Sequence, residues 1–167
     1  MNKQTQRDGT AFARAARGDK LREECGVFGV SLNDATDYAE AAGITYNALL
    51  ALQHRGQEGA GIAVCSGNAI TCRKSVGLVD DVFSSESLMA FPKSGAAVGH
   101  VRYSTTGANT MQNVQPFVTE FLTGRIATVH NGNVTNAGEM REKLEPFGLD
   151  FSATSDSEVI SSLIAYK

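Results

Sequence analysis

Apolar and polar positions along the chain change period several times, and each change marks an element. Residues 25–32 form a short, mostly apolar run that predicts a strand, with Gly26 and Gly29 allowing another backbone to approach closely. Residues 33–36 read as a turn. Over 38–52, Ile44, Leu49, Leu50 and Leu52 recur among alanines at helical spacing. That helix stops in "QHRGQEGAG", where three glycines within six residues lead into a strand over 62–65. Gly67-Asn68 predicts a hairpin turn into a strand over 69–74, which sets Cys65 against Ile70 and Ala63 against Cys72. Residues 78–91 are mixed and partly helical in pattern.

Two later segments share one design. "AAVGHVRYSTTG" and "GRIATVHNGN" each carry an apolar strand pattern that runs out into small and polar residues. An amphipathic helix over 135–144 ends at Pro146 and Gly148. "TSDSEVISSLIAYK" begins another, with Ser155 as N-cap, Glu158 at capping-box spacing, and an apolar face of Val159, Ile160, Leu163 and Ile164. That pattern reaches Lys167 without a stop signal, so a segment of a longer protein is expected. No internal repeat or interdomain linker is evident.

Composition narrows the picture. A chain of 167 residues with 42% hydrophobic content is long enough for one domain with a real core. A net charge of −3, with no basic run interleaved with aromatics, argues against a nucleic-acid partner and for a small molecule. No apolar run approaches a membrane span, and residues 1–24 lack the apolar stretch of a secretory signal. The tail holds six basic and four acidic residues and reads, on composition alone, as disordered. Three cysteines are an odd number without metal-ligand spacing, so reduced thiols in a cytoplasmic protein are expected, and no metal is required here.

Singly, the polar clusters have ordinary readings: "HNGN" as a turn, an internal cysteine as core, an arginine after a strand as a solvated charge. Their joint order is more informative: "EECGVFGV", "ALQHRGQEGAGIAV", "GHVRYSTTG", "NVQPF", "VHNGNVTN" and "SDSEVI". This series closely resembles the glutaminase domain of the amidophosphoribosyltransferase family, within the class II glutamine amidotransferases. The matching motifs run from Glu24 to about Ile164. Glucosamine-6-phosphate synthases, of the same class, typically carry "EYRGYDSAG" and "HTRWATHG" at the corresponding places, which fit less well. The resemblance implies an α+β, N-terminal-nucleophile hydrolase fold: a four-layer αββα sandwich with antiparallel sheets, incomplete here at its C-terminal end. It also implies a leader, 1–24, ahead of a glutaminase domain, 25–167, whose phosphoribosyltransferase partner domain lies outside this chain.

The implied chemistry assigns each motif a task. Releasing ammonia from a carboxamide requires a nucleophile, an oxyanion stabiliser and a base that later serves as an acid. By resemblance Cys25 is the nucleophile. Its own α-amino group would be the base, and that group exists only once the Glu24–Cys25 bond is cut. Removing the tail, which carries +6 and −4, would take the net charge from −3 to −5. Asn131 and Gly132 would form the oxyanion hole. Arg102 would clamp the glutamine carboxylate with its guanidinium fork, and Asp156 would receive the ammonium. Arg55 and Gly56 would line the nucleophile pocket, with a helix C-cap explaining Gly56 equally well. Thr105, in the small-residue loop 103–107, belongs to a lid that closes over glutamine. His54, His100 and His130 are read as structural, because the terminal amine already supplies the base.

The implied partners are glutamine and, through the domain outside this chain, phosphoribosyl diphosphate with Mg2+. A homotetramer is implied for the full-length protein. Some relatives hold a 4Fe-4S cluster, whose cysteines Cys65 and Cys72 do not match, so no cofactor is assigned to this span. Two alternatives stay open: another class II amidotransferase with an acceptor such as a hexose phosphate, and a glutamine-binding module without turnover.

Overall fold

The computed structural model describes residues 25–33, 41–103 and 110–166. The expected leader 1–24, the start of the helix predicted over 38–52, and Thr105 with most of its loop lie outside the described residues. In chain order the elements are β1 (Gly26–Ser31), α1 (Ala41–Ala51), β2 (Gly59–Ser66), β3 (Ala69–Val76), two short helices α2 (Val79–Val82) and α3 (Ser85–Met89), β4 (Ala96–Arg102), β5 (Phe117–Phe121), β6 (Gly124–Thr128), α4 (Ala137–Leu144) and α5 (Ser157–Tyr166). The first four strands make one antiparallel sheet in the order β1-β4-β2-β3, and β5 and β6 pair as a second.

Strand register decides what each face of the large sheet carries. Phe28, Gly99 and Ile62 stand side by side across β1, β4 and β2, as do Val30, Ala97 and Val64. Successive strand residues point to opposite faces, so these rows share one apolar face, and α1 covers it with Ala41, Ala42, Thr45 and Leu49. Gly99 has no room for a side chain there: a Cβ would lie 2.5 Å from Thr45 and 3.0 Å from Leu49. The other face carries Gly61, His100 and Val27 in one row and turns toward the smaller sheet.

Contact between the two sheets is close at Gly61, where a Cβ would fall 2.1 Å from the Gln115 carbonyl oxygen and 2.8 Å from Pro116. Lys74 of β3 bridges the same gap. Its ammonium donates to the Val114 and Pro116 carbonyls and lies 4.9 Å from the centre of the Phe117 ring. Burial lowers the Lys74 pKa, and the two carbonyls and the ring offset part of the cost of placing a cation there. Helix α5 closes the far side of β5 and β6, with Ser161 and Thr119 sharing a 2.6 Å hydroxyl hydrogen bond. Helix, sheet, sheet, helix is therefore the layer order, and the fold is α+β.

Several expectations need correction. Strands β2 and β3 are longer than their apolar cores, because small and polar residues at their ends continue the ladder, and the predicted register is observed: Cys65 opposes Ile70 and Ala63 opposes Cys72. Strand β5 is not predicted by the pattern; Thr119 and Glu120 interrupt its apolar run. The inward face of α5 is Ser157, Glu158, Val159, Ser161 and Ser162, while Ile164 is half exposed. Serine hydroxyls can be buried because partners such as Thr119 meet them. Nor does Glu158 close a capping box on Ser155. Its carboxylate reaches back to accept from the Ser152 and Ala153 N–H groups and the Ser152 hydroxyl, whereas Ser155 Oγ accepts from Ser157 N–H.

Gly61→Ala is expected to destabilise the fold by about 1–3 kcal/mol through overpacking. Gly43→Ala in α1, where a Cβ would meet nothing within 4 Å among the described residues, should stabilise it by about 0.4–1 kcal/mol. Urea midpoints should move in opposite directions for the two variants, and equal midpoints would contradict this account of the packing.

Candidate active site

One end of the gap between the sheets opens into a cavity of about 440 Å³, lined by residues that are remote in sequence. Five expected site residues are among its walls: Cys25, Arg102, Asn131, Gly132 and Asp156. Strand geometry explains the convergence. Cys25 directly precedes β1, and Arg102 ends β4, the antiparallel neighbour of β1. Asn131 and Gly132 follow β6, and Asp156 directly precedes α5.

Cys25 is held on both sides. Its thiol lies 3.4 Å from the Tyr103 carbonyl, to which S–H donates, and the Tyr103 N–H reaches Sγ at 3.3 Å. Its carbonyl accepts from Arg55 Nε at 2.8 Å and from Asn131 Nδ2 at 3.4 Å. Its φ of +48° lies in the left-handed region, which costs a side-chain-bearing residue roughly 1–2 kcal/mol. Arg102 is 6% exposed, and its carbonyl accepts from Glu58 N–H at 3.0 Å. Asp156 accepts from Val134 N–H at 2.6 Å and from the Ser157 hydroxyl at 3.4 Å, so the loop after Gly132 and the start of α5 are tied together.

Arg55 and Gly56 stand behind the cavity wall. A Cβ on Gly56 would lie 2.7 Å from backbone atoms of Val101 and Arg102, and its φ is an extended −157°. Close approach to β4, not a left-handed helix cap, is what requires glycine. Gln53 secures this corner by donating to the Gly56 carbonyl and accepting from Val79 N–H.

Other cavity residues carry no role in the sequence reading: Asn113 and Gln115 of "NVQPF", and Ser157 of "SDSE". Two amides in the three residues before Pro116 were the available signal, since a buried amide needs hydrogen-bond partners that only a specific neighbour can supply. Of the three histidines, His54 is exposed at the end of α1, whereas His100 and His130 line the cavity. His100 is fully buried, neither ring nitrogen has a hydrogen-bond partner among the described residues, and burial, with the nearby charges of Arg102 and His130, pushes its pKa down to about 3. A neutral imidazole therefore stands beside the Arg102 cation and adds no second charge to it.

Among the described residues, no three His, Cys, Asp or Glu side chains lie close enough to hold a metal ion. No helix among the described residues is long and apolar enough to cross a membrane.

Facing antiparallel sheets between helices are the arrangement of the N-terminal-nucleophile hydrolase fold. Two solved structures share this arrangement. Glutamine phosphoribosylpyrophosphate amidotransferase from B. subtilis, complexed with ADP and GMP, superposes with a TM-score of 0.71 at 41% identity, over 84% of this chain and 29% of its own. A structure described as the allosteric regulatory enzyme of purine biosynthesis gives 0.73 at 42% identity, over 84% and 29%. The family described as a glutamine amidotransferase domain matches residues 84–167, and the chain belongs to that family. Amidophosphoribosyltransferase 3, chloroplastic, of Arabidopsis thaliana is 45% identical over 94% of this chain and 28% of its own length. The amidophosphoribosyltransferase of Methanothermobacter thermautotrophicus is 47% identical over 87% and 30%. The chain thus spans under a third of the length of these relatives.

The His100 geometry predicts an acid-sensitive component of stability. Unfolded, the imidazole takes a proton near pH 6.5; folded, it does so only near 3. The contribution is complete above pH 6.5, declines by up to about 1.4 kcal/mol per pH unit below it, and is gone near pH 3. His100→Asn should remove this component, so its stability deficit relative to the parent should shrink between pH 7 and 4. A deficit constant with pH would refute the assignment.

Proposed function

We propose that the chain is the glutamine-hydrolysing part of an amidophosphoribosyltransferase, releasing ammonia at Cys25 for transfer to phosphoribosyl diphosphate to give 5-phosphoribosylamine. The observation that carries this reading is the meeting of Cys25, Arg102, Asn131, Gly132 and Asp156 around one cavity. Relatives named amidophosphoribosyltransferase support the acceptor chemistry. A hexose-phosphate acceptor has no comparable support among them, and an intact thiol in the cavity favours turnover over binding alone.

In this reading the bond between Glu24 and Cys25 is cut, 1–24 is the leader, and the freed α-amine takes the thiol proton. Cleavage also removes the carbonyl that makes φ +48° unfavourable at Cys25. The thiolate adds to the glutamine carboxamide carbon, and the oxyanion is met by Asn131 Nδ2 and the Gly132 N–H. The α-ammonium returns the proton to the departing nitrogen, ammonia leaves, and water hydrolyses the thioester to glutamate. Arg102 and Asp156 hold the carboxylate and ammonium of free glutamine, which glutamine inside a polypeptide lacks. Thr105, in the loop after Tyr103, belongs to the closing lid. Arg55, bound to the Cys25 carbonyl, acts by holding the nucleophile's main chain. The remaining length of the protein supplies the acceptor site, its Mg2+ and the contacts of a homotetramer, in the cytoplasm.

Intact-mass analysis of the full-length protein should show a mature terminus at Cys25. Cys25→Ala should reduce glutamine-dependent synthesis to background while sparing ammonia-dependent synthesis. Arg102→Lys should raise KM for glutamine about 10- to 100-fold, as the loss of roughly 1.5–3 kcal/mol of charged hydrogen bonding implies. An active protein retaining residues 1–24 would overturn the terminal-base mechanism.

A further inference from the structure

One buried side chain makes a set of bonds that no step above uses. Gln115, 6% exposed, accepts from the His130 main-chain N–H at 2.6 Å and donates from Nε2 to the His130 carbonyl at 3.0 Å. Its carboxamide thus pairs with both peptide groups of one residue, as a neighbouring strand would. This happens just past β6, where no strand partner is present among the described residues. Nε2 also lies 3.3 Å from Ser157 Oγ, and that hydroxyl meets His130 Nδ1 at 3.0 Å. His130 is therefore anchored through its main chain by Gln115 and through its ring by Ser157.

The anchored ring in turn limits the next turn of chain. His130 Nε2 would lie 2.6 Å from a Cβ on Gly132, so ring and glycine backbone are in close contact. Asn131 and Gly132 directly follow the clamped peptide, and their donors can be aimed in advance only if that peptide cannot rotate. Preorganised donors are what stabilise a developing oxyanion, since they need no rearrangement during the reaction.

We propose that Gln115 is a positioning residue: by clamping His130 it holds Asn131 and Gly132 in the orientation that oxyanion stabilisation requires. This rests on the reading of function above. A carboxamide suits the task because it offers a donor and an acceptor in one plane. Glutamate at 115 would lose the donor and set an acceptor against the His130 carbonyl, and methionine of similar length would lose both bonds.

Gln115→Glu and Gln115→Met in the full-length protein test this. The readouts are kcat and KM for glutamine hydrolysis, ammonia-dependent synthesis, thermal unfolding, and alkylation of Cys25 by iodoacetamide, located by peptide mass spectrometry. Alkylation forms no oxyanion and so reports the nucleophile alone. The expected result is a fall in kcat of about 10²-fold, with KM, ammonia-dependent synthesis and Cys25 alkylation unchanged. An unchanged kcat overturns the proposal, as does a raised KM at unchanged kcat, which would make Gln115 a glutamine contact. Should both variants unfold, Ser157→Ala decides: kcat lowered about tenfold by partial loosening at constant KM supports the clamp, and full kcat overturns it. A parent protein that releases no ammonia from glutamine would instead sink the reading of function itself.

Discussion

The antiparallel ladder between β1 and β4 sets where the rest of the structure can stand. Pairing Gly26 with Val101 brings the residue before β1 alongside the residues that end β4. Cys25 and Tyr103 then exchange contacts through thiol, N–H and carbonyl, while Arg102 enters the same cavity from the neighbouring strand. A one-residue slip would turn His100 and Arg102 onto the opposite face, against α1. The apolar rows packed under α1 oppose such a slip, so the hydrophobic core maintains the geometry of the polar site.

Glycine serves this architecture by letting backbones approach. Gly99 admits α1, Gly61 admits the segment carrying Gln115 and Pro116, and Gly56 admits the corner holding Arg55 against β4. The last two approaches bear on the cavity: one brings the second sheet's polar residues near His100, the other puts a guanidinium on the Cys25 carbonyl. Packing and site chemistry thus depend on the same small residues.

Electrostatics in the cavity follows from burial. Keeping His100 neutral leaves Arg102 as the cation on that wall, while Asp156 stands on the opposite layer at the start of α5. In the proposed function these two groups are the ones assigned to the carboxylate and ammonium of a free amino acid. The amide and hydroxyl network of Gln115, His130 and Ser157 joins the segments after β6 and before β5 to the start of α5.

The order of motifs, the hairpin register at Gly67-Asn68 and the apolar face beneath α1 were determined by sequence alone, because turn chemistry and periodicity are local. Cys25, Arg102, Asn131, Gly132 and Asp156 became candidates through the joint order of their motifs and the family that order resembles. Strand β5 and the serine-lined inner face of α5 were not legible, because their polar residues are buried only where a partner from another element meets them. Tertiary structure also decided that Gly56, which caps the short turn 53–55 in an extended conformation, must be glycine because of its approach to β4. It drew Gln115 and His130, fifteen positions apart, into one clamp. A side-chain amide takes its partners from whatever backbone the fold brings within reach, and no local pattern encodes that.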